Sequence, residues 1–241
     1  MAVALVQSDG KHVTAVNNTT LAFPSNVTAG NLLLGFHTHF HTGGTTPSLP
    51  TDTLGNTWQQ SVTLQLNFNI RCRMFWCENS LGGANTVTFD MSGTANGDLT
   101  VALAEFSGLL ADCDDGSPVT DTATSSTPAV GDKTPSVDDA LLVAFLTHGG
   151  GNISITEEAG WNVIYEFEDG SSGMPISCVW KQQVGAPVAE DADWTLGSSQ
   201  LWGGIIHAFK PTVAAGGQPY IKRTEYVPHM ALGQTPLRRR Y

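Results

Sequence analysis

The 241-residue chain has few charged residues and no long apolar segment. Asp, Glu, Lys and Arg make up 14% of it, and apolar residues make up 41%. No apolar run approaches the ~20 residues of a membrane-spanning helix. The N-terminal stretch MAVALVQSDGKHVTAV lacks the basic and apolar regions of a secretory signal. We therefore expect a protein that is made in the cytoplasm and does not enter a membrane.

Sequence motifs of catalysis and metal binding are also missing. The chain has no GxSxG nucleophile elbow, no phosphate-binding loop and no HExxH. It has no CxxC pair, which excludes a zinc ribbon and a thioredoxin-type site. We therefore predict a protein that is not an enzyme and uses no cofactor.

The four cysteines are Cys72, Cys77, Cys113 and Cys178. Cys72 and Cys77 are five residues apart, which places them on opposite faces of a strand, so they should neither bond to each other nor share a metal ion. Two interpretations stay open. All four thiols are buried as small apolar side chains, or disulfides form between subunits through Cys113 in a loop.

The residues that are abundant are typical of β-structure. Thr, Ser, Asn and Gly take the place of the Lys and Glu that exposed helices favour, and 26 Gly and 12 Pro indicate frequent turns. Period-two patterns recur between turn residues, and no helical period persists for ten residues. Strands without crossover helices cannot form a parallel sheet. We predict an all-β fold, a two-sheet antiparallel β-sandwich of the jelly-roll type.

The predicted strands are 3–8, 12–17, 20–23, 31–40, 57–66, 70–78, 86–91, 99–107, 140–148, 161–168, 176–184, 193–196 and 201–210. We assign residues 1–213 to one β-sandwich domain and residues 214–241 to an extended C-terminal arm. Residues 111–137 are predicted to be a long surface loop. The alternative, in which this loop links two small domains, would require the last strand to pair locally.

Charge separates the arm from the rest of the chain. Five of the 11 basic residues and one of the 22 acidic residues lie in 214–241, so the arm carries +4 and residues 1–213 carry −15. The acidic body should repel nucleic acid and anionic membranes. A basic arm and an acidic body are complementary between copies of one chain, and such complementarity guides docking.

The arm, AAGGQPYIKRTEYVPHMALGQTPLRRRY, contains three prolines, three glycines and only isolated apolar residues. Because it cannot form a core of its own, we expect it to lie in a groove on another subunit. The predicted partner-binding residues are Tyr220, Ile221, Lys222, Arg223, Tyr226, Val227, Met230, Leu232, Leu237, Arg238, Arg239, Arg240 and Tyr241. Two alternatives remain for the three consecutive arginines: a solvated tail, or a contact with packaged nucleic acid.

Three histidines alternate in GFHTHFHTGG: His37, His39 and His41. In a strand they share one face, so they form the candidate metal site of the sequence, although three in a row are too far apart to bind one ion without a carboxylate from a neighbouring strand. The competing interpretation is a polar outer face near a strand end.

Two groups of acidic residues resemble known sites only in part. Asp112, Asp114 and Asp115 in DCDDGS begin like a calcium loop, but the glycine comes one place early and position twelve is not Glu. Glu166 and Glu168 share a strand face, as paired glycosidase carboxylates can, but no third acid is in register. We interpret both groups as exposed acids in or near loops.

Six tryptophans could serve either the core or a sugar-binding surface. Trp76, Trp180 and Trp202 lie in apolar strands and are predicted to be in the core. Trp58 and Trp161 follow turns, where they could form an exposed aromatic platform.

Several segments together resemble a known kind of module. They are TLAFPSNVTAGNLLLGF, TDTLGNTW, LTVALAEFSGL, DDALLVAFLTHGG and LWGGIIHAFKP. Their order is similar to that in β-sandwich modules of bacterial surface proteins and phage virion proteins, over roughly residues 10–211. The resemblance implies a jelly-roll-like sandwich displayed on a surface, and it carries no active site.

These features lead us to expect a structural protein of a phage virion, of the capsid decoration or accessory kind. Its partners would be copies of itself, as a trimer by analogy with other jelly-roll virion proteins, and the major capsid protein or another virion protein. The alternative is a carbohydrate-binding or adhesive module that contacts a surface glycan.

Overall fold

The computed structural model of the protein describes residues 2–41, 45–67, 69–91, 97–168 and 174–212. These ranges contain 17 strands and no helix. In chain order the strands are β1 (Ala4–Val16), β2 (Asn18–Ala22), β3 (Leu32–Phe40), β4 (Thr51–Asp52), β5 (Gln59–Gln60), β6 (Leu64–Gln65), β7 (Ile70–Cys77), β8 (Thr86–Asp90), β9 (Gly97–Ser107), β10 (Leu109–Asp114), β11 (Val119–Ser125), β12 (Leu141–His148), β13 (Ile155–Glu157), β14 (Asn162–Phe167), β15 (Ile176–Gln182), β16 (Trp194–Leu196) and β17 (Gln200–Pro211).

Two large sheets form the centre of the molecule. The first main sheet has the order β1-β9-β3-β7-β5, and β6 also pairs with β7. The second main sheet has the order β10-β17-β12-β15-β14, and β11 also pairs with β17. Two small sheets, β2-β8-β4 and β13-β16, complete the fold, and neighbouring strands pair antiparallel. The all-β antiparallel sandwich predicted from the sequence is confirmed.

The apolar side chains form three clusters, so the fold has four layers. A central cluster lies between the two main sheets and includes Phe36 and Phe145. A second cluster lies between the first main sheet and the sheet β2-β8-β4, around Phe75 and Phe89. A third lies between the second main sheet and the sheet β13-β16, around Trp194. Both faces of each main sheet are therefore buried in its central strands.

Each half of the chain builds the same arrangement of strands. In residues 4–107 the main sheet places the first strand beside the last, the last beside β3, and β3 beside β7, while β2, β8 and β4 form the covering sheet. This is the strand order of a jelly roll. Residues 109–211 repeat it with β10 and β11, β17, β12 and β15, covered by β16 and β13.

Strand registers give the equivalence of the two halves residue by residue. In the first half Leu33 is paired with Cys77 and Glu105, and in the second half Leu142 is paired with Lys181 and Ala208. Phe36 is therefore equivalent to Phe145, Trp76 to Trp180, and Phe106 to Phe209.

Equivalent residues meet across the central core, which gives the molecule an approximate twofold axis. The Phe36 and Phe145 rings lie 5.6 Å apart, and the Oγ1 atoms of Thr38 and Thr147 lie 3.1 Å apart. Equivalent residues touch at two positions along the same two strands, Phe36 with Phe145 and Thr38 with Thr147. The axis therefore lies between the sheets and runs along β3 and β12.

Aromatic contacts on either side of this axis follow the same symmetry. Trp76 meets Phe209 edge-on at 6.3 Å, and Trp180 meets Phe106 in the same way at 5.4 Å. Each main sheet thus supplies the aromatic side chains that the other one buries.

The ends of both main sheets come together at Gly108, the link between the halves. The backbone N–H of Thr212, just after β17, donates to the Gly108 carbonyl at 2.8 Å. A Cβ atom at Gly108 would lie 2.4 Å from the Ala2 carbonyl oxygen, and its φ is +83°. Glycine is therefore needed here for two independent reasons.

Several predicted boundaries were wrong. Residues 111–137 are not a loop without strands, because they contain the end of β10 and all of β11. Predicted strands 3–8 and 12–17 are one strand, β1, which continues through Gly10 where the Tyr165 ring packs on the backbone. Predicted strand 57–66 is two short strands, β5 and β6. The last strand, β17, does pair locally, with β10, β11 and β12.

Replacing Phe36 or Phe145 by Ala should lower the free energy of unfolding by about 3–5 kcal/mol in each case, because each change leaves a cavity in the shared core. The double variant should lose less than the two single losses combined, by about 0.5–1.5 kcal/mol, because the rings contact each other. Urea unfolding followed by circular dichroism measures these values. Separate transitions for the two halves, or additive losses, would contradict a shared core.

Candidate functional site

The three alternating histidines do not form an exposed polar face. His37 and His39 are fully buried and His41 is 2% exposed. The prediction failed because the outer face of the first main sheet is covered by β2-β8-β4: the His37 ring lies 6.1 Å from the ring of Phe89 in that small sheet. The His37 Nε2 and His39 Nδ1 atoms lie 3.0 Å apart, and His39 Nε2 lies 3.1 Å from the Thr45 carbonyl oxygen.

The surroundings of these histidines favour the neutral imidazole. Burial, the neighbouring His39 and Arg73 hold the pKa of His37 well below its usual value. Burial lowers the pKa of His39 to about 4; the contact with Thr45 opposes this shift, and Arg71 and His41 add to it. The Arg73 guanidinium donates to the carbonyl oxygen of Pro47 at 2.9 Å and to Gln60 Oε1 at 2.6 Å.

A metal site at these histidines has no support from their surroundings. Within the described ranges, no group of three or more His, Cys, Asp or Glu side chains is arranged to hold a metal ion. The charged neighbours that shift the pKa of His37 and His39 are cationic, and a cation is the opposite of what a metal ligand set requires.

The cysteines fit the interpretation of buried apolar side chains. All four are free and buried. Cys72 belongs to the central cluster and Cys77 to an outer one, which confirms that they lie on opposite faces of a strand. Cys113 lies in β10, is fully buried and belongs to the central cluster, so its placement in an exposed loop was wrong. Burial, together with nearby Asp52 and Glu78, raises the pKa of Cys77 to about 12.

Trp58 and Trp161 do not form the aromatic platform considered as a possibility from the sequence, because they are 3% and 9% exposed. The indole N–H of Trp58 donates to Asp52 Oδ2 at 3.0 Å, which fixes the turn before β5. Trp76 and Trp202 are buried as predicted, whereas Trp180 is half-buried at the edge of the central cluster.

Acidic residues gather around the end of β14. Burial and the neighbouring Glu157 and Glu168 raise the pKa of Glu166 to about 7. The Ser177 hydroxyl donates to Glu157 Oε1 at 2.7 Å, and the backbone N–H of Ile155 donates to the Glu168 carboxylate. Glu157 also lines a cavity of about 310 Å³, together with Glu158 and Asp193.

The aspartates of DCDDGS do not form a calcium loop. Asp115 accepts hydrogen bonds from the backbone N–H and the hydroxyl of Ser136. Asp114 ends β10, and its Oδ1 lies 3.2 Å from Nε2 of the buried His207. The His207 ring in turn lies 4.7 Å from the Trp76 ring. Sequence reasoning missed this group because its members are far apart in the chain and no spacing pattern joins them.

Asp114 and Trp76 line a cavity of about 390 Å³ at one edge of the sandwich, together with Gln60, Ser61 and Ser117. The cavity lies between the β5–β6 connection of the first half and the turn after β10 of the second half. The Trp76 Nε1 atom is buried and without a hydrogen-bond partner. We call this cavity the seam cavity because it lies where the two halves of the chain meet. It brings an aromatic ring and titratable side chains together.

All predicted partner-binding residues of the arm, from Tyr220 to Tyr241, lie outside the described residues. Comparison of the chain with protein-family models, curated proteins and solved structures finds no match. In the described part of the chain, no helix has the length and apolar character to cross a membrane.

The buried histidines should make the fold less stable in acid. The folded-state pKa values of His37, His39, His148 and His207 are lowered by burial, those of His39 and His148 to about 4. Between about pH 6.5 and 4 the unfolded chain therefore binds protons that the folded chain does not. Stability should fall as the pH decreases through this window, by about 1.4 kcal/mol per pH unit for each such histidine.

Urea unfolding at several pH values checks this expectation. His39→Gln should reduce the slope of stability against pH by about the contribution of one histidine. A variant slope equal to that of the wild type would show that His39 takes up its proton in the folded state.

Glu166→Gln should raise the melting temperature at pH 8 and leave it unchanged at pH 4. Because the pKa of Glu166 is raised from 4.5 to about 7 in the folded chain, its ionisation opposes folding increasingly between these pH values and fully above 7. The opposition is absent at pH 4, where the group is protonated in both states. Thermal unfolding at the two pH values provides its own control. An equal shift at both would attribute the effect to packing and not to charge.

Proposed function

We propose that this protein is a non-enzymatic structural protein of a phage virion, of the capsid decoration or accessory kind. The double jelly-roll body serves as a rigid outward-facing block, and the basic C-terminal arm attaches it to neighbouring copies or to the shell. Support comes from the resemblance of the strand motifs to virion sandwich modules. It also comes from a body whose buried thiols and histidines are held in unreactive forms by burial.

The observation that carries the proposal is the change in the chain at the end of β17. The last strand ends at Pro211. Residues 1–213 carry a net charge of −15, whereas residues 214–241 carry a net charge of +4 and cannot form a core of their own. Fully extended, its 28 residues reach up to roughly 90 Å, enough to cross a neighbouring subunit. An arm that bridges subunits adds multivalent attachment, which stabilises a shell as a whole.

A glycan-binding module is the weaker candidate in the form expected from the sequence. That hypothesis relied on Trp58 or Trp161 as an exposed platform, and both side chains are buried. The arm hypothesis does not depend on these residues.

Removing residues 213–241 should leave a folded body that no longer associates. All described strands lie before the cut, so the melting temperature should stay within a few degrees of the full chain. Sedimentation velocity of the full chain should show oligomers at low salt that weaken at about 1 M salt, where charges are screened within roughly 3 Å. The truncated chain should sediment as a monomer at both.

A matched variant, with Arg238, Arg239 and Arg240 changed to Glu, keeps the arm length and reverses its charge. It should behave like the truncated chain if the arginines engage the acidic body. Incorporation into particles is tested by mass spectrometry of virions purified from cells that supply either version. Equal incorporation of the full and truncated chains would refute the arm, and absence of the full chain from virions would refute the function.

A further inference from the structure

The approximate twofold axis gives the sandwich two equivalent seams, and only one of them is closed by apolar side chains. At the closed seam β1 lies against β14: the Ser8 hydroxyl donates to the Ile164 carbonyl at 2.9 Å, and the Tyr165 ring packs directly on Gly10. At the open seam, β5 and the β5–β6 connection face the end of β10 and the turn after it across the cavity of about 390 Å³.

The registers identify which residues differ between the seams. Leu5 is paired with Phe106, and Asp114 is paired with the equivalent Phe209. Asp114 therefore occupies the place of Leu5, which packs against the central cluster at the closed seam.

Two further differences follow in the same way. Ala104 is paired with Leu34. His207 is paired with Val143, the residue equivalent to Leu34. Tyr165 is paired with Cys178. Met74 is the residue equivalent to Cys178, and its carbonyl oxygen accepts a hydrogen bond from the backbone N–H of Ser61. The open seam thus has His207 in place of an alanine, and Ser61 in place of a large ring.

Folding does not require these polar residues, because the closed seam shows an apolar solution for the same position. The polar version also has a cost. Trp76 Nε1 and His207 Nδ1 are buried without hydrogen-bond partners. Asp114 Oδ1 and His207 Nε2 contact each other at 3.2 Å. A buried polar group without a partner destabilises the fold, and in a native protein it calls for an explanation such as a bound water or ligand.

We propose that the seam cavity binds a neutral, hydroxyl-bearing ligand of the size of a mono- or disaccharide. Its volume falls within the range of small-molecule sites, and the Trp76 indole supplies an apolar surface in its wall. The polar groups are of both kinds: the Trp76 N–H and the Gln60 amide can donate, and the Asp114 carboxylate accepts.

A hydroxyl group both donates and accepts, so it can bond with the carboxylate and with the indole N–H at once. An anion would be repelled by Asp114. An ammonium or guanidinium ion could pair with Asp114, but it has no acceptor for the Trp76 N–H. The mixture of groups therefore favours a neutral polyol over either kind of ion.

The test is ligand-observed NMR titration of the full chain with D-glucose, D-galactose, N-acetyl-D-glucosamine, maltose and lactose, up to roughly 10 mM, a concentration that detects affinities in the millimolar range. At least one sugar should bind saturably. Methylammonium and inorganic phosphate, added under the same conditions, should not saturate the cavity. Saturation by methylammonium in place of a sugar would overturn the choice of ligand, and so would the absence of binding by every sugar of the panel.

Two variants locate the binding, and a third controls for folding. Trp76→Phe removes the indole N–H and Asp114→Asn removes the charge, and each should weaken binding roughly tenfold or more. Trp180→Phe makes the same change at the closed seam and should leave binding unchanged. Melting temperatures of all three confirm that the variants are folded. Unchanged sugar binding in both Trp76→Phe and Asp114→Asn would show that the ligand binds elsewhere. Because the substituted residues all belong to the body, this result is independent of particle attachment.

Discussion

The contact between the two main sheets is the interaction on which the rest of the structure depends. Each half of the chain forms a jelly roll of its own, yet the inner face of each main sheet carries large apolar side chains that only the other half covers. Phe36 and Phe145 meet at the centre, and on either side a tryptophan of one half meets a phenylalanine of the other. Burial of apolar area on this scale is the dominant favourable contribution to folding. We therefore regard the halves as parts of one cooperative unit.

A second constraint comes from the small sheets on the outside. They bury the outer faces of the main sheets, and this leaves polar residues such as His37 and His39 away from water. Their burial is tolerable because a neutral imidazole can share hydrogen bonds with a neighbour. The same burial makes His37 and His39 a source of acid sensitivity that does not involve the seam cavity.

The sequence was sufficient to predict the fold class and most of the long strands. β3, β7 and β12 lie within one or two residues of their predicted positions because their apolar character and flanking turns are unambiguous. The position of His37 and His39 could not be predicted, since alternation indicates which residues share a face but not whether that face is covered. The segment 111–137 looked like a loop because β11 is an edge strand with mostly exposed Thr and Asp side chains. The cavity residues Ser61, Trp76 and Asp114 come together only through the pairing of the two halves, which no local pattern encodes.

The meeting of both sheet ends at Gly108 has a mechanical consequence. A pull on the chain beyond Thr212 is transmitted along β17, whose 12 residues pair with β11 on one side and β12 on the other. Tension in this direction loads many hydrogen bonds at the same time, in shear, and does not open them one after another. The last strand is therefore held by both of its neighbours against a pull from its C-terminal end.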